Sequence, residues 1–151
     1  MNNYNVDYCT FEDICLIKNS KEDLDLLYKF SNNKNVAIKN AVAESDKCPI
    51  DILLKMLIEA KQNVIIKINY NNIPDNFKLI KSIIKNKNFI LNKFDELFDD
   101  LYFQKNIIFE MLANDIDCPY SVLKFIYKKD IELNVLNKIE NHPNWKLKDF
   151  Q

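Results

Sequence analysis

Apolar positions along the chain recur at helical rather than strand spacing. Val36, Ile38, Ala41 and Val42 mark one face of a turn-rich segment. Ile52, Leu53, Met56, Leu57 and Ala60 follow the i, i+1, i+4, i+5, i+8 pattern of an amphipathic helix. Leu79, Ile80, Ile83 and Ile84 repeat it, as do Val122, Leu123, Ile126 and Tyr127. Start signals agree: Thr10 precedes Phe11-Glu12-Asp13, and Ser20 precedes Lys21-Glu22-Asp23, a capping box with Asp in place of Glu. The pattern predicts about ten short helices, near 11–18, 21–31, 35–44, 49–60, 63–71, 74–86, 88–100, 102–114, 119–129, 132–141 and 144–150. The stretch 63–71 is rich in β-branched residues and also fits a strand, but its matched segment elsewhere in the chain reads as helix. No helix this short persists alone, so each must bury its apolar face on a neighbour.

Proline punctuates the pattern. The step from Pro49 to Pro119 equals, within one residue, the step from Pro74 to Pro143. Each proline follows a short polar stretch and opens an apolar run, as suits a residue whose missing N–H is unneeded in a first helical turn. Residues 35–57 lie over 105–127, each with a Cys-Pro pair (Cys48-Pro49, Cys118-Pro119), and residues 63–80 resemble 133–150. This is the pattern of an internal duplication. The expected organisation is a single helical-repeat domain: N-terminal capping helices over 1–34, one copy over 35–86, a connecting acidic-aromatic helix over 87–104, and a second copy over 105–151.

The segment NVAIKNAVAESDKCPIDILLKML resembles the variant leucine-rich repeat, a HEAT-like all-helical repeat. Val36, Ala41, Val42, Ala43, Pro49, Leu53 and Leu54 carry the likeness in the first unit; Leu112, Ala113, Asn114, Pro119, Val122 and Leu123 carry it in the third. The second and fourth units match at Pro74 or Pro143 and the flanking apolar positions. The resemblance covers 35–85 and 105–150. It implies an all-α fold, a short right-handed α-solenoid, and no particular reaction.

Composition narrows the chemistry. With 151 residues, 48% hydrophobic, the chain can bury a continuous core. It contains no Gly and no Arg. Glycine-rich phosphate loops and arginine forks on phosphate or guanine are therefore excluded. Without Gly, left-handed backbone is costly, so Asn is expected to take over at helix C-termini. A formal net charge of −1 argues against a dedicated nucleic-acid binder. Cys9, Cys15, Cys48 and Cys118 are dispersed without a C-x-x-C pair. Together with a polar start and no long apolar run, they fit a cytoplasmic protein with free thiols and no bound metal.

Each candidate reactive residue has a plainer reading. Cys48 and Cys118 precede helix starts, where a thiol pKa falls, but small buried residues at equivalent positions are the favoured reading. His142, matched to Ile73 of the first copy, is expected in a structural turn. Trp145, with Lys146 and Lys148, can stack on a base or a peptide, or close the last repeat's core, which is favoured. Lys78, Lys81, Lys85 and Lys87 offer phosphate or acidic-partner contacts, or simply a solvated face. The acidic group Asp95, Glu96, Asp99 and Asp100 holds like charges at i,i+4, at a cost of a few tenths of a kcal/mol per pair. An ordinary solvated face, a lysine-lined neighbouring helix or an external cationic partner are the three readings of it.

These features point to a non-catalytic protein–protein interaction module, of the size and type of an immunity or inhibitor protein. The expected contact is Asp95, Glu96, Asp99 and Asp100 on a basic protein, with no cofactor. The alternative is a HEAT-like nucleic-acid-binding or DNA-repair protein, which needs a basic concave face. A thiol or metal enzyme is the third possibility.

Overall fold

The computed structural model describes residues 24–64 and 75–146. Among them, nine helices and no strand are found, and none of the helices is long and apolar enough to cross a membrane. The expected helix at 11–18, the capping signals at Thr10 and Ser20, Cys9, Cys15, Pro74, Lys148, and the helix-or-strand question over 65–71 lie outside the described residues. The chain divides into two compact units, Met1–Phe89 and Ile90–Gln151.

The first unit contains α1 (Leu24–Ser31), α2 (Val36–Glu44), α3 (Ile50–Val64) and α4 (Asp75–Lys85). Helix α4 packs on both α2 and α3, and α1 packs on the same two. Their predicted faces meet: Ile38, Val42, Leu53, Met56, Leu57, Ile80 and Ile83 are fully buried. Burial of this kind stabilises by about 1.5–3 kcal/mol per large side chain.

The second unit contains α5 (Leu91–Phe98), α6 (Tyr102–Asn114), α7 (Tyr120–Tyr127), α8 (Leu133–Glu140) and the short α9 (Pro143–Lys146). Helix α8 packs on α6 and α7, the relation that α4 has to α2 and α3. A phenylalanine stack fills the core: Phe94 lies 4.6 Å from Phe98 and 5.8 Å from Phe109, and Phe109 meets Phe125 edge-on at 6.4 Å. The expected connecting helix over 88–100 is shorter than its periodicity predicts. It ends at Phe98, where Leu101 N–H turns back to Phe98 O at 3.0 Å. Two consecutive aspartates at a helix C-terminus oppose the helix dipole, which favours a stop there.

The duplicated Cys-Pro segments form the same turn, bond for bond. Ser45 N–H donates to Val42 O at 3.1 Å, and Asp115 N–H to Leu112 O at 3.2 Å. Cys48 N–H donates to Ser45 O at 3.1 Å, and Cys118 N–H to Asp115 O at 2.9 Å. Ser45 Oγ accepts from Lys47 N–H as Asp115 Oδ1 accepts from Asp117 N–H. Pro49 O and Pro119 O then receive the first bonds of α3 and α7, from Leu53 and Leu123. Both cysteine side chains are fully buried.

The missing glycine has a different consequence from the one expected. No described residue takes a positive φ, so Asn does not serve as a left-handed cap. Its side-chain amide instead folds back onto carbonyls of the preceding helical turn. Asn141 Nδ2 reaches Asn137 O at 2.9 Å, and Asn32 Nδ2 reaches Tyr28 O at 3.1 Å.

Two further amides clamp the first Cys-Pro turn. Asn86 donates to Ala43 O and Ser45 O at 2.7 and 2.9 Å. Asn88 donates to Asp46 O and Cys48 O at 2.9 and 3.0 Å. In the second unit, Asn144 donates to Cys118 O at 2.8 Å and His142 Nε2 bonds Asp115 O at 2.7 Å. His142 Nδ1 accepts from Asn144 N–H at 3.1 Å, just as Asn86 Oδ1 accepts from Asn88 N–H at 2.9 Å. The imidazole is therefore the Nε2–H tautomer. In its hydrogen bonds Asn86 holds, in the first unit, the place that His142 holds in the second; Ile73, matched to His142 by sequence, lies outside the described residues.

Candidate functional site

The acidic group lies where α5 gives way to α6, and its four carboxylates do not act together. Asp95 is held inside the second unit. Its Oδ1 lies 2.6 Å from Lys105 Nζ on α6, and its Oδ2 lies 2.5 Å from Lys129 Nζ just after α7. Lys129 in turn sits 4.5 Å from the centre of the Phe125 ring. Partial burial pushes the Asp95 carboxyl up, but hydrogen bonds and charge from Lys105 and Lys129 outweigh it and hold the pKa below the usual 3.8. Glu96 is exposed beside Lys93 at 3.3 Å. Asp99, the C-cap of α5, and Asp100 are also exposed.

The Asp95 arrangement makes a pH prediction with a definite sign. A carboxyl whose folded pKa is depressed stabilises the fold above its unfolded pKa, and that contribution is lost as pH falls through the folded value. Asp95→Asn is expected to cost about 1 kcal/mol at neutral pH. Wild type and variant should converge in urea midpoint as pH falls below the usual carboxylate range. A gap that stays constant over that range would show that the ion pairs contribute nothing.

After the aspartates and Leu101 stand Tyr102 and Phe103, 62% and 55% exposed, at the start of α6. The sequence places them within or beside the connecting acidic-aromatic helix expected over 87–104. The break at residues 99–101 separates them from the helix that carries Phe94 and Phe98.

The other candidates are accounted for by packing. Burial, reinforced by the charge of Asp51, pushes the Cys48 thiol up to about 12, the reverse of activation by a helix start. Cys48 is therefore expected to resist iodoacetamide at pH about 8 in the folded protein and to react after unfolding, as read by peptide mass analysis. Trp145 packs on α7, its ring centre 4.6 Å from Tyr127 and 5.4 Å from Tyr120. Lys78 is exposed near Asp75 at 3.7 Å, and Lys87 is exposed.

A cleft of about 310 Å³ opens at the starts of α2 and α4, lined by Asn35, Val36, Ala37, Asn40, Asp75 and Lys78. Helix N-termini there favour an anion and Asp75 opposes one, so the lining selects no single ligand class. No protein-family model, curated protein or solved structure matches the chain.

Proposed function

We infer that the chain is a non-catalytic helical-repeat module that binds a basic protein through the corner between α5 and α6. The repeat is read as HEAT-like, in a short right-handed solenoid, on the strength of the duplicated Cys-Pro turn and its amide clamp. The observation that carries the binding role is the division of labour among the four carboxylates. Asp95 is neutralised by two lysines, whereas Asp99 sits exposed at the helix end where a negative charge is least favoured, with no ion pair among the described residues. A charge kept at a local cost is explained by a cation that arrives from outside. Neutralisation of a partner, as an inhibitor or immunity protein does, fits a small chain whose surface charge is concentrated in this way.

The test is differential capture from cells that make the protein. The immobilised chain is compared with a variant carrying Glu96→Lys, Asp99→Lys and Asp100→Lys, all at exposed positions. One basic protein should be retained by the wild type at low salt, released as salt rises, and missed by the variant. Equal capture by both chains, or capture that salt does not weaken, would sink the reading.

A further inference from the structure

We propose that His142 is a proton-operated latch: a proton added at Nδ1 opens the turn that carries α9 and lifts Trp145 from α7, while the amide-closed turn of the first unit stays shut. The inference is independent of the protein-binding reading above.

Two observations carry it. The first is that the turn closes only on a neutral ring. His142 is 4% exposed. Its Nε2–H donates to Asp115 O at 2.7 Å, and its bare Nδ1 accepts from Asn144 N–H at 3.1 Å. Trp145 N–H donates to His142 O at 3.1 Å, so one residue starts α9 with both its side chain and its carbonyl. An imidazolium carries a hydrogen on each nitrogen. A proton at Nδ1 sets two N–H donors against each other, and a buried donor without an acceptor is costly. The contacts beyond that bond depend on it. Asn144 Nδ2 donates to Cys118 O at 2.8 Å, and Trp145 rests its ring on Tyr120 and Tyr127 of α7.

The second is that the first unit builds the same closure from a group that does not titrate. Asn86 Oδ1 accepts from Asn88 N–H at 2.9 Å, Asn88 Nδ2 donates to Cys48 O at 3.0 Å, and Phe89 N–H donates to Asn86 O at 3.0 Å. Phe89 thus holds the hydrogen-bond position of Trp145. Of the two closures, only the imidazole can change charge between neutral and mildly acid pH.

Other titratable groups stand on the elements around the ring. Asp115 Oδ1 accepts from Asp117 N–H in the turn, Glu140 on α8 accepts from the Tyr127 hydroxyl, and Lys138 on α8 pairs with Glu110 on α6. Asp117 and Lys124 are exposed, the buried Cys118 thiol meets Pro119 O at 3.9 Å, and Lys146 belongs to α9 itself. The hydrogen bonds of the ring go to the backbone rather than to any of these.

The chain has one tryptophan and one histidine, so each half of the latch can be read separately in the full-length protein. Between pH ~8 and ~5.5, above the ordinary carboxylate range, Trp145 emission should move to longer wavelength with falling pH. Its midpoint should coincide with that of the His142 ring resonances. Over the same range the Asn144 and Trp145 amides should lose about 10-fold in exchange protection relative to those of Asn88 and Phe89. His142→Asn should abolish both changes. Flat wild-type emission, a Trp145 transition that departs from the ring titration, or equal loss of protection at Asn144 and Asn88 overturns the latch. So does an unchanged pH profile in His142→Asn.

Discussion

Replacing Phe94 by Ala is expected to lower the stability of the second unit by about 3–5 kcal/mol. The ring is fully buried and touches two other rings, Phe98 and Phe109, that belong to α5 and α6. Its removal leaves a cavity bordered by two helices that are pinned in place by Asp95 and Lys105. The site therefore has little freedom to collapse, which puts the cost at the upper part of the range. A domain of ordinary stability holds only about 5–15 kcal/mol in all, so the variant should lie close to unfolding at 37 °C. Phe94→Leu, which keeps most of the volume, should cost much less. Tyr102→Ala, eight residues on and exposed, should stay within about 0.5 kcal/mol of wild type. Urea unfolding followed by circular dichroism distinguishes the three; similar midpoints for Phe94→Ala and Tyr102→Ala would contradict the assignment of inside and outside.

The turn clamp predicts an asymmetric exchange. Asn86→Ala removes the amide that donates to Ala43 O and leaves Ser45 O with only the bond from Cys48 N–H, and an unpaired buried carbonyl costs about 1–3 kcal/mol. His142→Ala leaves Asp115 O with only the bond from Cys118 N–H and also removes the acceptor for Asn144 N–H. Each alanine variant is expected to lose about 1–3 kcal/mol. His142→Asn should recover most of the loss, because an amide offers both a donor and an acceptor in the arrangement that Asn86 already uses. The reverse change, Asn86→His, should do worse, because Asn86 donates to two carbonyls and a neutral imidazole has one N–H. Full stability of His142→Ala, or failure of His142→Asn to recover, would remove the equivalence between the two turns.

The candidate site was half legible from the chain. The four carboxylates stood out because like charges one helical turn apart need a reason. One of the reasons considered, a neighbouring lysine, holds for Asp95; the outside partner is the reading proposed for the exposed members. Asp95 meets Lys105 and Lys129, which are too distant in sequence for any spacing rule to pair with it. The exposure of Tyr102 and Phe103 was hidden, because the sequence places a helix start there without saying which way its first turn faces. Cys48 and Cys118 were read as structural, and their complete burial agrees.

Helical periodicity, the apolar faces of α2, α3, α4 and α7, and the doubled Cys-Pro turn are local properties. They depend on residues three or four apart, or on hydrogen bonds within one turn, and the order of side chains along the chain is enough to determine them. The division into two compact units, the clamp of Asn88 on Cys48, and the inward lock of Asp95 depend on contacts between segments remote in sequence. A polar side chain has the same pattern in the chain whether it meets water, a carbonyl or an ammonium group. Only packing brings one of these within bonding distance, and packing alone decided that Asp95 turns inward to Lys105 and Lys129 while Glu96 and Asp99 stay exposed.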